Sequence, residues 1–129
     1  MRLLLRYGAD IRRIARDDSL SLHFMIEEDQ MDLFMLLLDH VDIDNKDENA
    51  VTPLMIAAEF GRNDMIRVLL DRGANIDCVD HTNEDAEYYA VANDHIESAK
   101  ILIDHRVSLL QKEIDVLVAR RDSLITKYN

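Results

Sequence analysis

Thr52-Pro53-Leu54-Met55-Ile56-Ala57-Ala58-Glu59-Phe60-Gly61-Arg62 is the stretch that decides the fold of this 129-residue chain. Thr52 offers a side-chain oxygen where a helix can be capped, and Pro53 fits a first helical turn, where no backbone donor is needed. Ala57 and Ala58 are small, so a neighbouring helix can approach closely. Looser counterparts flank the stretch: Leu20-Ser21-Leu22-His23-Phe24-Met25-Ile26 upstream and Asp85-Ala86-Glu87-Tyr88-Tyr89-Ala90-Val91-Ala92 downstream.

Farther out, a second kind of segment recurs four times: Leu3-Leu4-Leu5-Arg6-Tyr7-Gly8-Ala9-Asp10-Ile11, Leu36-Leu37-Leu38-Asp39-His40-Val41-Asp42-Ile43, Val68-Leu69-Leu70-Asp71-Arg72-Gly73-Ala74-Asn75-Ile76 and Ile101-Leu102-Ile103-Asp104-His105-Arg106-Val107-Ser108-Leu109. Ile43 to Ile76 and Val68 to Ile101 each span 33 positions. The second segment lacks one residue, at the place of Gly73 in the third. A fixed period of this length is the mark of a solenoid, in which each unit buries its apolar face against the next.

The pattern resembles ankyrin repeats: a turn, a T-P-L-H-x-A-A helix, a short loop, then an I-V-x-L-L-L helix ending in G-A-x. Residues 47–78 match closely, residues 15–46 and 80–109 more loosely. The resemblance implies an all-α fold, an ankyrin-repeat solenoid of stacked helix-turn-helix units, and here a C-terminal amphipathic helix follows. The expected organisation is the second helix of a truncated repeat over 1–14, repeats over 15–46, 47–79 and 80–107, and the terminal helix over 108–129. Departures from the pattern are informative. Met55 and Tyr88 replace the usual first-helix histidine, which only His23 keeps. Ala50 and Asp18 replace the turn glycine, and Asn83 does so with a residue that tolerates positive φ. The first and third repeats are thus expected to be less stable than the second.

The two ends differ. Leu3, Leu4 and Leu5 are packing residues rather than a polar cap, which predicts either a fragment of a longer array or an end covered by something else. Ser108 and Gln111 fit a capping box that starts a new helix. Beyond it, Leu110, Ile114, Leu117, Arg121, Leu124 and Tyr128 recur at spacings of four and three, and Val118 and Ile125 widen this stripe. Two arrangements fit: the helix folds back to cap the last repeat, or it extends and pairs with a partner helix. Arg121 suits a cap or a heterotypic coil better than a simple homodimer.

Net charge is −11, unevenly spread. Residues 1–16 carry +4 and residues 105–129 carry +2, which leaves −17 on the middle. Such a middle repels phosphate backbones, so nucleic acid is a poor partner and a basic protein surface a better one. No apolar stretch reaches the roughly 20 residues of a bilayer span, and Arg2, Arg6 and Asp10 interrupt any leader-like start. A single cysteine, Cys78, excludes an internal disulfide and a Cys-based zinc site. It sits among Asp77 and Asp80, which would raise its pKa and dull it as a nucleophile.

Nothing points to catalysis or a cofactor. Gly8, Gly61 and Gly73 punctuate the repeats and form no phosphate loop, and no G-x-S-x-G elbow occurs. Asp42, Asp44, Asp47 and Glu48 cluster, but Lys46 and the lack of a following Gly break a calcium loop, and the segment reads as an exposed turn. His23, His40, His81, His95 and His105 include no pair at helical zinc spacing, and His23 is expected to bond backbone.

The resemblance implies binding through turn tips and the exposed face of the first helices. Mapped here, the tips are Arg16 and Asp17; Lys46, Glu48 and Asn49; Val79, His81 and Thr82. The helix face is Phe24 and Glu27; Ile56, Glu59 and Phe60; Tyr89 and Asn93. Phe24 and Ile56 are expected to pack between repeats, which leaves Phe60 and Tyr89 as the preferred contacts. The expected function is a non-catalytic adaptor or scaffold in a cytoplasmic, heteromeric assembly. A cytoskeletal or axonemal subunit, or the repeat portion of a larger enzyme or effector, are the alternatives.

Overall fold

In each first helix the apolar residues leave little polar surface, so the helix must be covered on several sides. Leu54, Met55, Ile56, Ala57 and Ala58 are all buried. The second helices are two-sided, with Met65, Ile66, Leu69 and Leu70 turned inward and Asp64, Arg67 and Asp71 outward. Stacking such pairs is the way to bury both kinds of face. The computed structural model describes residues 21–128 and does so with six helices and no strand. The half-repeat expected over 1–14, the tip residues Arg16 and Asp17 and the turn position Asp18 lie outside the described residues.

Helices α1 (Ser21–Glu27), α3 (Pro53–Glu59) and α5 (Ala86–Ala92) are the first members of three pairs. Helices α2 (Met31–Leu38), α4 (Asn63–Asp71) and α6 (Ile96–Tyr128) are the second members. Each pair packs on itself, α1 packs on α3, α3 on α5, and α4 on α6. The core runs through the stack from Leu22, Ile26 and Phe34 to Ala90, Ala99 and Leu102.

The link inside each pair is the same left-handed turn. Asp29, Gly61 and Asp94 have φ of 56°, 64° and 61°. The next amide in each case reaches back to the first helix: Gln30 to Met25 at 2.8 Å, Arg62 to Ala57 at 2.8 Å, His95 to Ala90 at 2.9 Å. This is the bond that closes a helix end with a left-handed residue. The starts are capped as their sequences require. Thr52 accepts from the amide of Met55 at 3.4 Å, and Asp85, 33 positions on, accepts from Tyr88 at 2.9 Å.

The helix start expected at Ser108 does not occur. Helix α6 runs unbroken from Ile96 to Tyr128, 33 residues, with Ser108 in its interior. The reason lies one repeat earlier. Gly73, at φ 89°, lets the chain leave α4. Arg106 holds the equivalent position and is not suited to that conformation, so the helix continues. The arginine instead bonds Asp77 at 2.5 Å and approaches Asp85 at 3.7 Å.

Candidate functional site

The turn tips are built by one carboxylate each. Asp47 Oδ1 accepts from the amides of Asn49 at 2.8 Å and Val51 at 2.9 Å. Asp80 Oδ1, 33 positions on, accepts from the amides of Thr82 at 2.9 Å and Glu84 at 3.0 Å. The two tips are joined by the His81 amide, which donates to the Asn49 carbonyl at 2.9 Å. Lys46, Glu48 and Asn49 in one tip and Val79, His81 and Thr82 in the next are all exposed. The Thr82 hydroxyl is already committed to Asp80 at 2.7 Å.

Most of the clustered acids of this region serve the backbone. Asp42 accepts from Asp44 at 3.0 Å, and Asp44 accepts across the repeat boundary from Asn75 at 2.9 Å. Among the described residues no group of three or more His, Cys, Asp or Glu is placed to hold a metal ion.

On the first-helix face, Phe24, Ile56 and Tyr89 occupy equivalent positions with three different fates. Ile56 is buried, as expected. Phe24 is 52% exposed, so the expectation that it packs between repeats is overturned. Tyr89 is half-buried against the core, and its hydroxyl donates to Asp80 Oδ2. Its hydroxyl thus braces the tip while the ring stays half-exposed on the face. Phe60 is exposed, and the Arg62 guanidinium lies 5.8 Å from its ring centroid. That guanidinium also donates to the carbonyls of Ile26 at 3.1 Å and Glu27 at 2.8 Å, closing the end of α1. Phe60 is thus held in place by a cation that itself ties two repeats together. Asn93 is exposed, with its side-chain amide on the Tyr89 carbonyl at 2.8 Å.

Glu59 sits partly buried at the same edge. Burial first, and the negative charge of Glu27 second, push its carboxyl above the usual range. Among the described residues neither carboxylate makes an ion pair, while the Arg62 guanidinium sits on the Glu27 main-chain carbonyl at 2.8 Å, and Phe24 and Phe60 are exposed.

Tyr88 was not singled out as a contact, yet it is 51% exposed. It stands 33 positions after Met55 and faces where a following repeat would pack, and Val91 stands likewise after Ala58. The signal was present in the sequence: a repeat with no successor leaves its onward face bare. His23 is buried, with Nε2 2.8 Å from the Val51 carbonyl, so its backbone role holds but reaches into the next repeat. The Cys78 thiol is pushed up, by burial first and then by Asp44, Asp77 and Asp42, with Lys46 opposing. Asp80, expected to contribute, is not among the causes. Along α6, Leu110, Ile114, Leu117, Arg121 and Leu124 are exposed, and this part of the helix does not fold back onto the stack.

Stacked helix pairs at a 33-residue period, joined by acid-capped turns, define a helical-repeat solenoid. The chain belongs to the ankyrin-repeat family: the family model for ankyrin repeats in three copies matches residues 1–80 and again 22–114. Such repeats generally mediate protein–protein interaction, and the family is typically non-catalytic. Relatives include ankyrin repeat protein FPV244 of fowlpox virus, 32% identical over 69% of this chain and 13% of its own length. The B-cell lymphoma 3 protein homolog of Mus musculus is 28% identical over 81% of this chain and 25% of its own length. A chain of the solved complex of the Bd0816 predatory endopeptidase of Bdellovibrio bacteriovorus with immunity protein Bd3460 superimposes with a TM-score of 0.63. It is 30% identical, over 66% of this chain and 45% of that one. The chain thus spans a quarter or less of the length of these two relatives. No described helix is long and apolar enough to cross a membrane.

Proposed function

We propose that this chain is a non-catalytic adaptor that holds a protein partner through its turn tips and the exposed face of its first helices. The observation that carries the reading is the Glu27–Glu59 pair, without an ion-pair partner among the described residues, beside exposed Phe24 and Phe60. A partly buried carboxylate raised further by a neighbouring negative charge is stabilised by an incoming cation, and a neighbouring aromatic supplies apolar contact area. A basic segment with an apolar side chain is the ligand that meets both demands. The charge of −17 on residues 17–104 steers such a segment and repels nucleic acid. The site and the charge suit a heteromeric complex with a basic protein.

The test uses the immobilised full chain. Proteins retained from a source extract are quantified against a Glu27→Lys/Glu59→Lys/Phe60→Ala variant whose helicity by circular dichroism matches the parent. Partners lost at least tenfold by the variant, and eluted from the parent by salt, support the reading. An identical retained set sinks it.

A second reading, a subunit wedged into a large assembly such as a cytoskeletal one, is favoured by the exposed apolar residues along α6. A third, the repeat portion of a larger enzyme or effector, is favoured by the small share of the relatives' length that the chain spans.

A further inference from the structure

Arg62 lies at neither a turn tip nor a first-helix face position, yet its side chain joins three parts of the binding face. The left-handed turn at Gly61 separates it from Phe60, and the guanidinium comes back over the Phe60 ring, 5.8 Å from the centroid. From there Nε donates to the Ile26 carbonyl at 3.1 Å and Nη2 to the Glu27 carbonyl at 2.8 Å. Those carbonyls belong to the last turn of α1, where a helix lacks backbone partners and favours a cation. Helix α1 has no basic residue of its own there, and the next repeat supplies one.

The guanidinium is spent on main chain and ring. Among the described residues Arg62 makes no ion pair. Burial and Glu27 govern the Glu59 carboxyl, and Arg62 does not enter. A cation placed only for its charge would sit on Glu27 or Glu59 and neutralise the face. This one leaves both carboxylates without an ion pair and fixes what surrounds them. Its positional equivalents do not repeat the arrangement. Gln30, 32 positions earlier, donates to the Glu28 carbonyl of its own turn at 3.5 Å, and His95, 33 positions later, lays its ring beside Gly61.

We propose that Arg62 is the positioning residue of this face: it holds the Phe60 ring and the end of α1 that carries Glu27 in the geometry a basic partner meets, without binding that partner itself. The inference rests on the reading of the face as the holder of a basic segment. Arg62 acts on such a partner in two ways of opposite sign. Its charge repels the partner's cation, weakly at the surface. Its hydrogen bonds and ring contact spare the partner the cost of ordering Phe60 and the α1 end. With one ring face already under a guanidinium, the exposed remainder suits an apolar side chain, and the partner's cation is left to the two carboxylates. Positioning therefore predicts that removing Arg62 weakens the hold on a basic ligand, the reverse of what its charge alone predicts.

The test is fluorescence polarisation on the full chain with a labelled octapeptide of alternating arginine and leucine, and one of alternating glutamate and leucine as control. Arg72 provides the matched comparison. It bridges the same two repeats through Asp39 at 2.8 Å, but at the ends of α2 and α4, away from the face. Arg62→Met and Arg72→Met each remove one positive charge and one tie between those repeats. At matched helicity by circular dichroism, Arg62→Met is expected to weaken binding of the arginine peptide about tenfold, and Arg72→Met to leave it within about twofold. Arg62→Lys keeps the charge but not the planar fork, and is expected to fall between the parent and Arg62→Met. In a Phe60→Ala background, Arg62→Met is expected to cost no more than about threefold. Should Arg62→Met lose helicity, Arg62→Lys against Arg72→Lys carries the same comparison. An Arg62→Met chain that binds as well as the parent or better overturns the inference, and so does an equal loss in both methionine variants. In either case the reading of the face survives if Glu27→Lys/Glu59→Lys still weakens binding about tenfold or more. A parent that ignores the arginine peptide, or a double lysine variant that binds it unchanged, sinks that reading and this inference with it.

Discussion

Tyr89 donates its hydroxyl to Oδ2 of Asp80, whose Oδ1 meanwhile accepts from the amides of Thr82 and Glu84 and from the Thr82 hydroxyl. One carboxylate thus pins the last turn tip and the helix behind it. Burial alone would raise this acid, but the donated hydrogen bonds from Tyr89, Glu84 and Thr82 outweigh it and hold the carboxyl at about 2. The Tyr89 phenol is pushed well above its usual range, by burial first and then by Asp80.

The pH consequence follows from the sign of the shift. A carboxylate whose folded pKa is depressed adds stability that is fully present above the unfolded value, near 3.8, and is lost as pH falls toward about 2. Urea unfolding of the parent is therefore expected to weaken across that window, and the Asp80→Asn variant to lose less there. At neutral pH, Asp80→Ala is expected to cost about 2 kcal/mol, since it strands several donors. Tyr89→Phe is expected to cost about 1 kcal/mol. Equal pH slopes for the parent and Asp80→Asn would contradict this account.

Ala50 is at φ 64°, and Asn83, 33 positions on, is at φ 66°. Both occupy the turn position where the family carries glycine. An alanine gains nothing from its side chain there and bears the left-handed penalty of about 1 kcal/mol. Ala50→Gly is expected to raise the urea midpoint by an amount equivalent to a few tenths to 1 kcal/mol, a reversal of the usual cost of a glycine. Asn83→Ala is expected to lower it by a similar amount. A destabilised Ala50→Gly protein would show that the turn is not held left-handed in solution.

The periodic parts of this fold were legible because spacing and packing obey the same 33-residue rule. Thr52, Ala57, Ala58, Leu69, Leu70 and Gly73 each do what their place in the repeat requires. Exposure at the end of the array was less legible. Tyr89 and Ile56 are equivalent by position, yet Tyr89 finds a hydroxyl partner in Asp80 that no local pattern announces, since the two lie on different sides of the capping residue Asp85. The length of α6 was misjudged for a related reason. Ser108 and Gln111 are spaced as a capping box, but a box starts a helix only where the preceding residues leave one. Without a glycine at 106, they do not.

Gly61 has a second reason to be glycine besides its φ of 64°. A Cβ there would lie 2.7 Å from His95 Nδ1 and 3.0 Å from two ring carbons. The ring belongs to the residue preceding α6, next to the left-handed residue Asp94. Gly61→Ala is expected to cost about 2 kcal/mol or more, beyond the roughly 1 kcal/mol of the left-handed conformation alone. In a double-mutant cycle, His95→Ala should recover the excess and not the conformational part. Additive effects would mean that the ring swings aside freely.

Glu59 offers a stability test of the binding face. Its pKa is raised, by burial and then by Glu27, so its ionised form opposes folding. That penalty builds as pH rises from the unfolded value, near 4.5, through the raised folded value, and is fully present above it. Lowering the pH through this window to below 4.5 is therefore expected to relieve it. Glu59→Gln removes the like-charge contact and is expected to stabilise the free chain at pH 7 by a few tenths of a kcal/mol. That gain should vanish in acid, where the parent is already neutral at this position. The same substitution is expected to weaken capture of a basic partner severalfold. Stability gained together with binding lost is what distinguishes a site held ready for a ligand from an acid that only keeps the surface soluble. Thermal melts of the parent and Glu59→Gln at pH 7 and near pH 4, read beside retention of the partners recovered on the immobilised chain, separate the two. A variant that is stabilised but binds as before would leave Glu59 as a solubilising charge and move the contact to the turn tips.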